Sequence, residues 1–250
     1  MADWPSADPD IEPPPPRSIS CWRLPIAAVD DACERRLGAL LDTAECARAA
    51  RFRLPGDRRR FTVAHAGLRV LLSAALRCRP LEVHIVQAGL HKPIVPGGAI
   101  EFNLTHSGAI VAIALARIPV GVDVELIRDM PDRAAIVERF FHPAESAALA
   151  SSAPEAAQTA FFRTWTRKEA VAKAVGLGLS LPLDEYCVST NPADPCVVAL
   201  PDGQPPADQW SLFDIAPEPG YIGAIAVAQR GVNLVCRTLD LTVSSPTRAA

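Results

Sequence analysis

A chain of 250 residues, 49% hydrophobic and 21% charged, has ordinary globular composition and is long enough for one large domain or two small ones. A formal net charge of −3 excludes the overall basic field that broad nucleic-acid binding requires. The seven cysteines are odd in number and form no CxxC pair, which argues against a disulfide framework or a zinc cage. Acidic residues and prolines interrupt the first residues, so no secretory leader is expected there. No apolar run approaches the roughly 20 residues that span a bilayer. A cytoplasmic protein without membrane contact is expected.

Residues 1–19, with Pro13–Pro16 and little apolar content, read as a disordered or polyproline-like tail. A helix is expected over 31–50. A second begins after Gly56 with Asp57 as its N-cap, and Phe61, Ala64, Leu68, Leu71, Leu72 and Ala75 recur at helical spacing. Strands are expected over 82–87, 99–105, 109–116 and 120–125, separated by Gly and Pro turns. Helical patterns return over 131–150 and 155–175, the second stopped by Gly176 and Gly178. Strands follow over 185–190, 196–200, 210–216, 221–228 and 233–239. Helices then strands, twice, indicate α+β rather than alternating α/β. The expected division is a tail over 1–19, an N-terminal half over 20–118 and a C-terminal half over 119–242.

Three stretches carry chemistry. In Gly121-Val122-Asp123-Val124-Glu125, strand alternation puts Asp123 and Glu125 on one face while Val122 and Val124 enter the core. Two carboxylates this close repel unless a cation sits between them, and Mg²⁺ suits such hard oxygen donors. A solvated acidic strand end is the alternative. In Phe161–Lys173, the residues Trp165, Glu169 and Lys173 are four apart and share a helix face. Glu169 there is a third carboxylate or a base, and Lys173 a point charge for a phosphate oxygen. A plain surface ion pair is the alternative. In Phe102-Asn103-Leu104-Thr105-His106-Ser107, hydroxyls and an imidazole sit at a strand end, with His91-Lys92-Pro93 upstream. Each of these binds phosphate or serves local turn chemistry. No GxSxG elbow, Walker loop or GxGxxG after a strand is present.

Taken in this order, the motifs resemble the surfactin-type 4′-phosphopantetheinyl transferase family, in its Trp-x-x-Lys-Glu-Ala branch. The likeness spans roughly 45–230 and includes Arg51-Phe52, Asp57–Arg60, Lys92-Pro93, Phe102–Ser107, Gly121–Glu125, Arg139-Phe140-Phe141 with Glu145, and Trp165–Lys173. The resemblance implies a pseudo-twofold α+β monomer of two similar halves with the site between them. It implies transfer of phosphopantetheine from coenzyme A, the co-substrate, to a serine of an acyl or peptidyl carrier protein, with Mg²⁺ as cofactor. It makes Asp123, Glu125 and Glu169 the metal ligands, and Glu169, Lys173 and Asp123 the catalytic groups. Arg48, Arg60, Lys92, Thr105, His106, Lys168 and Lys173 become the coenzyme A contacts. Carrier domains are acidic around the modified serine, so Arg128, Arg133 and Arg139 with Ile127, Met130 and Phe140 are candidate docking residues. The competing functions are a non-catalytic nucleotide-binding module, a hydrolase acting on the same bond, and a structural protein.

Overall fold

The computed structural model describes residues 11–87, 92–177 and 181–242. Residues 1–10, His91 and Gly178 of the expectations above lie outside these. Ser18–Pro25 forms strand β1, where no strand was expected, so the segment read as tail ends in sheet structure at Ser18 and Ile19. The helix expected over 31–50 is two helices, α1 (Asp31–Gly38) and α2 (Thr43–Ala50). The break has a local cause. Asp42 and Glu45 form a capping box, each side chain accepting the other's backbone N–H, and this starts a new helix.

Helix α3 (Pro55–Leu76) starts at Pro55 rather than at Asp57. Proline at the first helical position has its φ preset and lacks an N–H that would go unpaired there. Its buried residues include Phe61, Ala64, Leu68, Leu71 and Leu72, the face expected from spacing. The expected strand at 82–87 is instead a short 3₁₀ turn, Pro80–Glu82, and one isolated bridge between Val86 and Ile94. Strands β2 (Glu101–Ser107), β3 (Ile110–Ala116) and β4 (Val120–Leu126) follow as expected. The helical stretch at 131–150 again divides, into α4 (Arg133–Phe140) and α5 (Pro143–Ala150), because His142 and Glu145 make a second capping box with Pro143 at the first helical position. Helix α6 (Pro154–Val175) ends at Gly176, whose φ of +79° stops the helix at little steric cost. The ribbon strands β5 (Cys187–Val188) and β6 (Val197–Ala199), then β7 (Ser211–Ile215), β8 (Tyr221–Val227) and β9 (Asn233–Thr238), complete the described chain.

Two main sheets result, in the orders β2-β3-β1-β9 and β4-β8-β7. β1 lies antiparallel to β3 and parallel to β9, whereas β4, β8 and β7 are all antiparallel. Without β9, the orders β2-β3-β1 and β7-β8-β4 match, and each set is preceded or interrupted by two short helices and one long one. The faces turned toward each other share a core: Ile19, Cys21, Ala112 and Ala114 from the first sheet, Val120, Val122, Val124 and Ile225 from the second. Helix α3 covers the outer face of the first sheet through Trp22, Leu24, Leu68 and Leu71. Helix α6 packs on β4 so closely that a Cβ on Gly121 would lie 1.9 Å from the Ala170 carbonyl oxygen. Among the described residues, no helix is long and apolar enough to cross a membrane.

Candidate active site

The site forms where β2 runs beside the outer edge of β4, with α6 above both. Alternation along β2 separates its side chains. Phe102 enters the core and His106 faces the neighbouring cavity, while Asn103, Thr105 and Ser107 reach toward β4. The Asn103 Oδ1 accepts the Val122 N–H at 2.9 Å. Thr105 Oγ1 donates to Asp123 Oδ1 at 3.1 Å. Ser107 Oγ donates to Glu125 Oε2 at 2.7 Å and accepts the Leu126 N–H at 3.1 Å. Local turn chemistry therefore does not account for Asn103 and Ser107; both serve the acidic strand. The period-2 spacing of 103, 105 and 107 was the available signal.

From α6, Lys173 Nζ donates to Asp123 Oδ1 at 2.6 Å and approaches Thr105 Oγ1 at 3.4 Å. The second Asp123 oxygen, Oδ2, is buried without a hydrogen-bond partner, which is a costly state for a carboxylate and one that a cation relieves. Burial pushes the Glu169 carboxyl above its ordinary value; Lys173 pulls it down, and Asp123 and Glu125 push it further up. Glu125 is raised in the same way, by burial first and by Asp123, against the Ser107 hydroxyl and Arg128. Asp123 and Glu125 thus both act on the Glu169 carboxyl. Among the described residues, no three His, Cys, Asp or Glu side chains close a metal cage by themselves. That donor set is compatible with Mg²⁺, which takes one or two protein carboxylates and completes its octahedron with water and phosphate.

Two cavities meet at this seam and share Gln87, Pro93 and Asn103. The first, of about 490 Å³, lies between α2, α3 and β2 and is lined by Arg48, Arg60, His65 and His106. Arg60 is held by Asp57 at 3.0 Å and by the Gly108 carbonyl at 3.1 Å, and Arg48 lies over the Phe61 ring at 5.2 Å. Loss of surrounding water, then the Arg60 cation, holds the His106 imidazole below its ordinary value. The second cavity, of about 610 Å³, lies beside α6 and holds Glu169, Lys173, Lys92 and Arg139 among apolar walls such as Phe140, Ala172 and Leu181. Burial lowers the Lys92 ammonium, which donates to the Val120 carbonyl at 2.8 Å. Arg128 pairs with Glu125 at 3.8 Å, and Ile127, Met130 and Phe140 are partly buried against an aromatic cluster with Phe141, Phe161 and Trp165.

Lys168 corrects the sequence reading. It lines neither cavity and its side chain is 0% exposed. Its ammonium pairs with Glu145, also 0% exposed, at 2.8 Å and donates to the Tyr186 carbonyl at 2.7 Å. Tyr186 Oη donates back to the Lys168 carbonyl at 2.6 Å, and Glu145 also accepts the Val188 N–H at 2.8 Å. Lys168 thus anchors α6 to α5 and β5, leaving Lys173 as the α6 cation at the site.

A helix bearing a glutamate and a lysine over an edge strand with paired carboxylates, flanked by a cavity that Arg48, Arg60 and His106 help to line, is compatible with phosphoryl-group chemistry. Residues 119–226 match the family model of the 4′-phosphopantetheinyl transferase superfamily. Among curated proteins, the chain is 35% identical over 219 residues to the 4′-phosphopantetheinyl transferase HetI of Nostoc sp., covering 85% of this chain and 89% of that protein. It is 29% identical to a 4′-phosphopantetheinyl transferase of Bacillus subtilis, covering 77% and 89%. To the Bacillus pumilus enzyme psf-1 it is 35% identical, covering 64% and 68%. The chain belongs to the 4′-phosphopantetheinyl transferase superfamily.

Proposed function

We propose that this chain transfers the 4′-phosphopantetheine arm of coenzyme A to a serine hydroxyl of an apo acyl or peptidyl carrier protein, as a member of the surfactin-type branch. The supporting observation is that Glu169 and Lys173 line the second cavity while Lys173 bonds to Asp123, and that Asp123 and Glu125 both raise the Glu169 carboxyl. Asp123, Glu125 and Glu169 would hold Mg²⁺, with water and phosphate oxygens completing its shell, and the ion would neutralise charge on the pyrophosphate. The orphaned Asp123 Oδ2 supports that role. Arg48, Arg60 and His106 bind the nucleotide phosphates in the first cavity, and Lys92 and Lys173 hold phosphoryl oxygens at the second. Glu169, which lines the second cavity beside Lys173, accepts the proton of the attacking serine. The serine oxygen bonds to the β-phosphorus as the bond to the departing 3′,5′-ADP breaks. The carrier docks along the rim near Arg128, Arg133 and Arg139. Seven cysteines without a disulfide fit a cytoplasmic enzyme, which we take to act as a monomer.

The test is intact-mass measurement of a panel of apo carriers incubated with coenzyme A and Mg²⁺. A gain of one phosphopantetheine, abolished by chelation or by a Ser→Ala carrier, supports the reading. Release of free phosphopantetheine with unlabelled carriers makes the chain a hydrolase. Binding without either reaction makes it a binding module.

A further inference from the structure

We propose that Ser107 is a positioning residue that holds Glu125 in its metal-binding pose, an inference that rests on the metal site proposed above. Among the described residues β4 ends its sheet, and its outer edge is held by side chains from β2 instead of a strand ladder. Ser107 is 8% exposed and its single hydroxyl proton is committed to Glu125 Oε2, while its lone pair takes the Leu126 N–H. It thus ties the carboxylate and the backbone beyond it to one point. Among the described residues, the ion-pair partner of Glu125 is Arg128, at 3.8 Å and 54% exposed, a contact too screened to fix a rotamer.

The two carboxylates differ in this respect. Asp123 Oδ1 is held by both Thr105 and Lys173, so it keeps a partner when Thr105 is lost. The Ser107 end of β2 is itself held from helix α3 and from the second sheet. Gly108 adopts φ +53°, its carbonyl accepts from Arg60, and the next N–H, of Ala109, donates to Tyr221 Oη on β8 at 2.9 Å. A Cβ at Gly108 would stand 2.4 Å from that hydroxyl. Ser107 therefore sits at a fixed point rather than on a free turn.

The test titrates Mn²⁺ against the full chain by paramagnetic resonance of the unbound ion, with coenzyme A affinity in chelator and thermal melting as controls. Ser107→Ala is expected to weaken Mn²⁺ binding about 10- to 100-fold, the usual cost of losing a group behind a metal ligand. Ser107→Thr restores it to within about threefold, and Thr105→Val costs less than Ser107→Ala. Ser107→Cys, which keeps the volume with a weak donor, falls between and serves if the alanine variant does not fold. Wild-type Mn²⁺ affinity in the alanine or cysteine variant overturns the inference, as does failure of threonine to rescue in a folded chain. A wild-type chain that binds no Mn²⁺ overturns the metal site and this inference with it.

Discussion

The half built around α3 and the half built around α6 use one plan for different ends. Both long helices have 22 residues, begin with proline at the first helical position and end on a left-handed residue, Arg77 or Gly176. Arg69 stands as far from Pro55 as Lys168 does from Pro154. Each is a buried cation paired with the capping-box glutamate of a short helix, Glu45 or Glu145. The seams between strand and helix differ. In the first half Trp22 and Leu24 face α3 and join its apolar core. In the second Asp123 and Glu125 occupy the strand, with Glu169 and Lys173 on the helix. Helix α6 is held beside this polar seam by its own apolar contacts, Ala170, Val171 and Ala174 against Leu212, Ala224 and Ala226, by the close backbone approach at Gly121 and by the buried Lys168–Glu145 pair.

That contrast yields graded predictions. The largest effect is on chemistry: Glu169→Gln is expected to cost about 10²- to 10⁴-fold in single-turnover labelling of a carrier while leaving the circular dichroism spectrum intact. Near-native turnover would remove Glu169 as the base. Next comes the pair of buried cations. Lys168→Ala strands a fully buried glutamate and is expected to cost about 3–5 kcal/mol in urea unfolding. Arg69→Ala costs less, on the order of 2–3 kcal/mol, because Asp42, one of its two carboxylate partners, is 42% exposed and can rehydrate. Equal losses would mean that the two cations do not differ in the way their surroundings suggest.

Third are the close-approach glycines. The first half places one on the helix, Gly67, where a Cβ would meet the movable Leu24 side-chain tip at 2.2 Å. The second places one on the strand, Gly121, where a Cβ would meet backbone. Gly121→Ala is expected to cost about 3 kcal/mol or more by melting. Gly67→Ala costs about 1–2 kcal/mol, since alanine in a helix returns part of the clash. The smallest effect is in pH dependence. The lowered His106 value means that the folded chain binds fewer protons than the unfolded one between the lowered and the ordinary histidine value. Stability therefore falls as pH drops below about 6.5 and is unaffected above it. His106→Gln should flatten that part of a melting-temperature profile, and an unchanged slope would assign it to other groups.

Much of this plan is legible in the sequence. The spacing in α3 and α6, the stop at Gly176 and the alternation in β4 follow from local periodicity alone. β1 carries no clear local signal because it is central, buried on both faces, and spelled Ser-Ile-Ser-Cys-Trp-Arg-Leu-Pro, which neither alternates throughout nor forms an apolar run. The breaks at Asp42 and His142 were written as capping boxes, a signal overridden by the longer helical pattern. Helical spacing brings both Lys168 and Lys173 near Glu169, and only the tertiary neighbours Glu145 and Tyr186 decide that one is interior and the other faces the cavity. The repeat of buried cations is invisible in sequence because arginine and lysine, with different partners, fill the same place.

The strand β9 has a consequence for the order of events in synthesis. Its partner β1 is among the first residues of the described chain to leave the ribosome, and β9 among the last, yet Cys21 and Cys236 stand side by side in the sheet. Until β9 emerges, one edge of β1 lacks its ladder. Completing the first sheet then requires closure of a loop that contains the whole second half, an entropic step of high contact order. The sheet whose strand β2 lines the first cavity is thereby finished after the half bearing the carboxylates has been made.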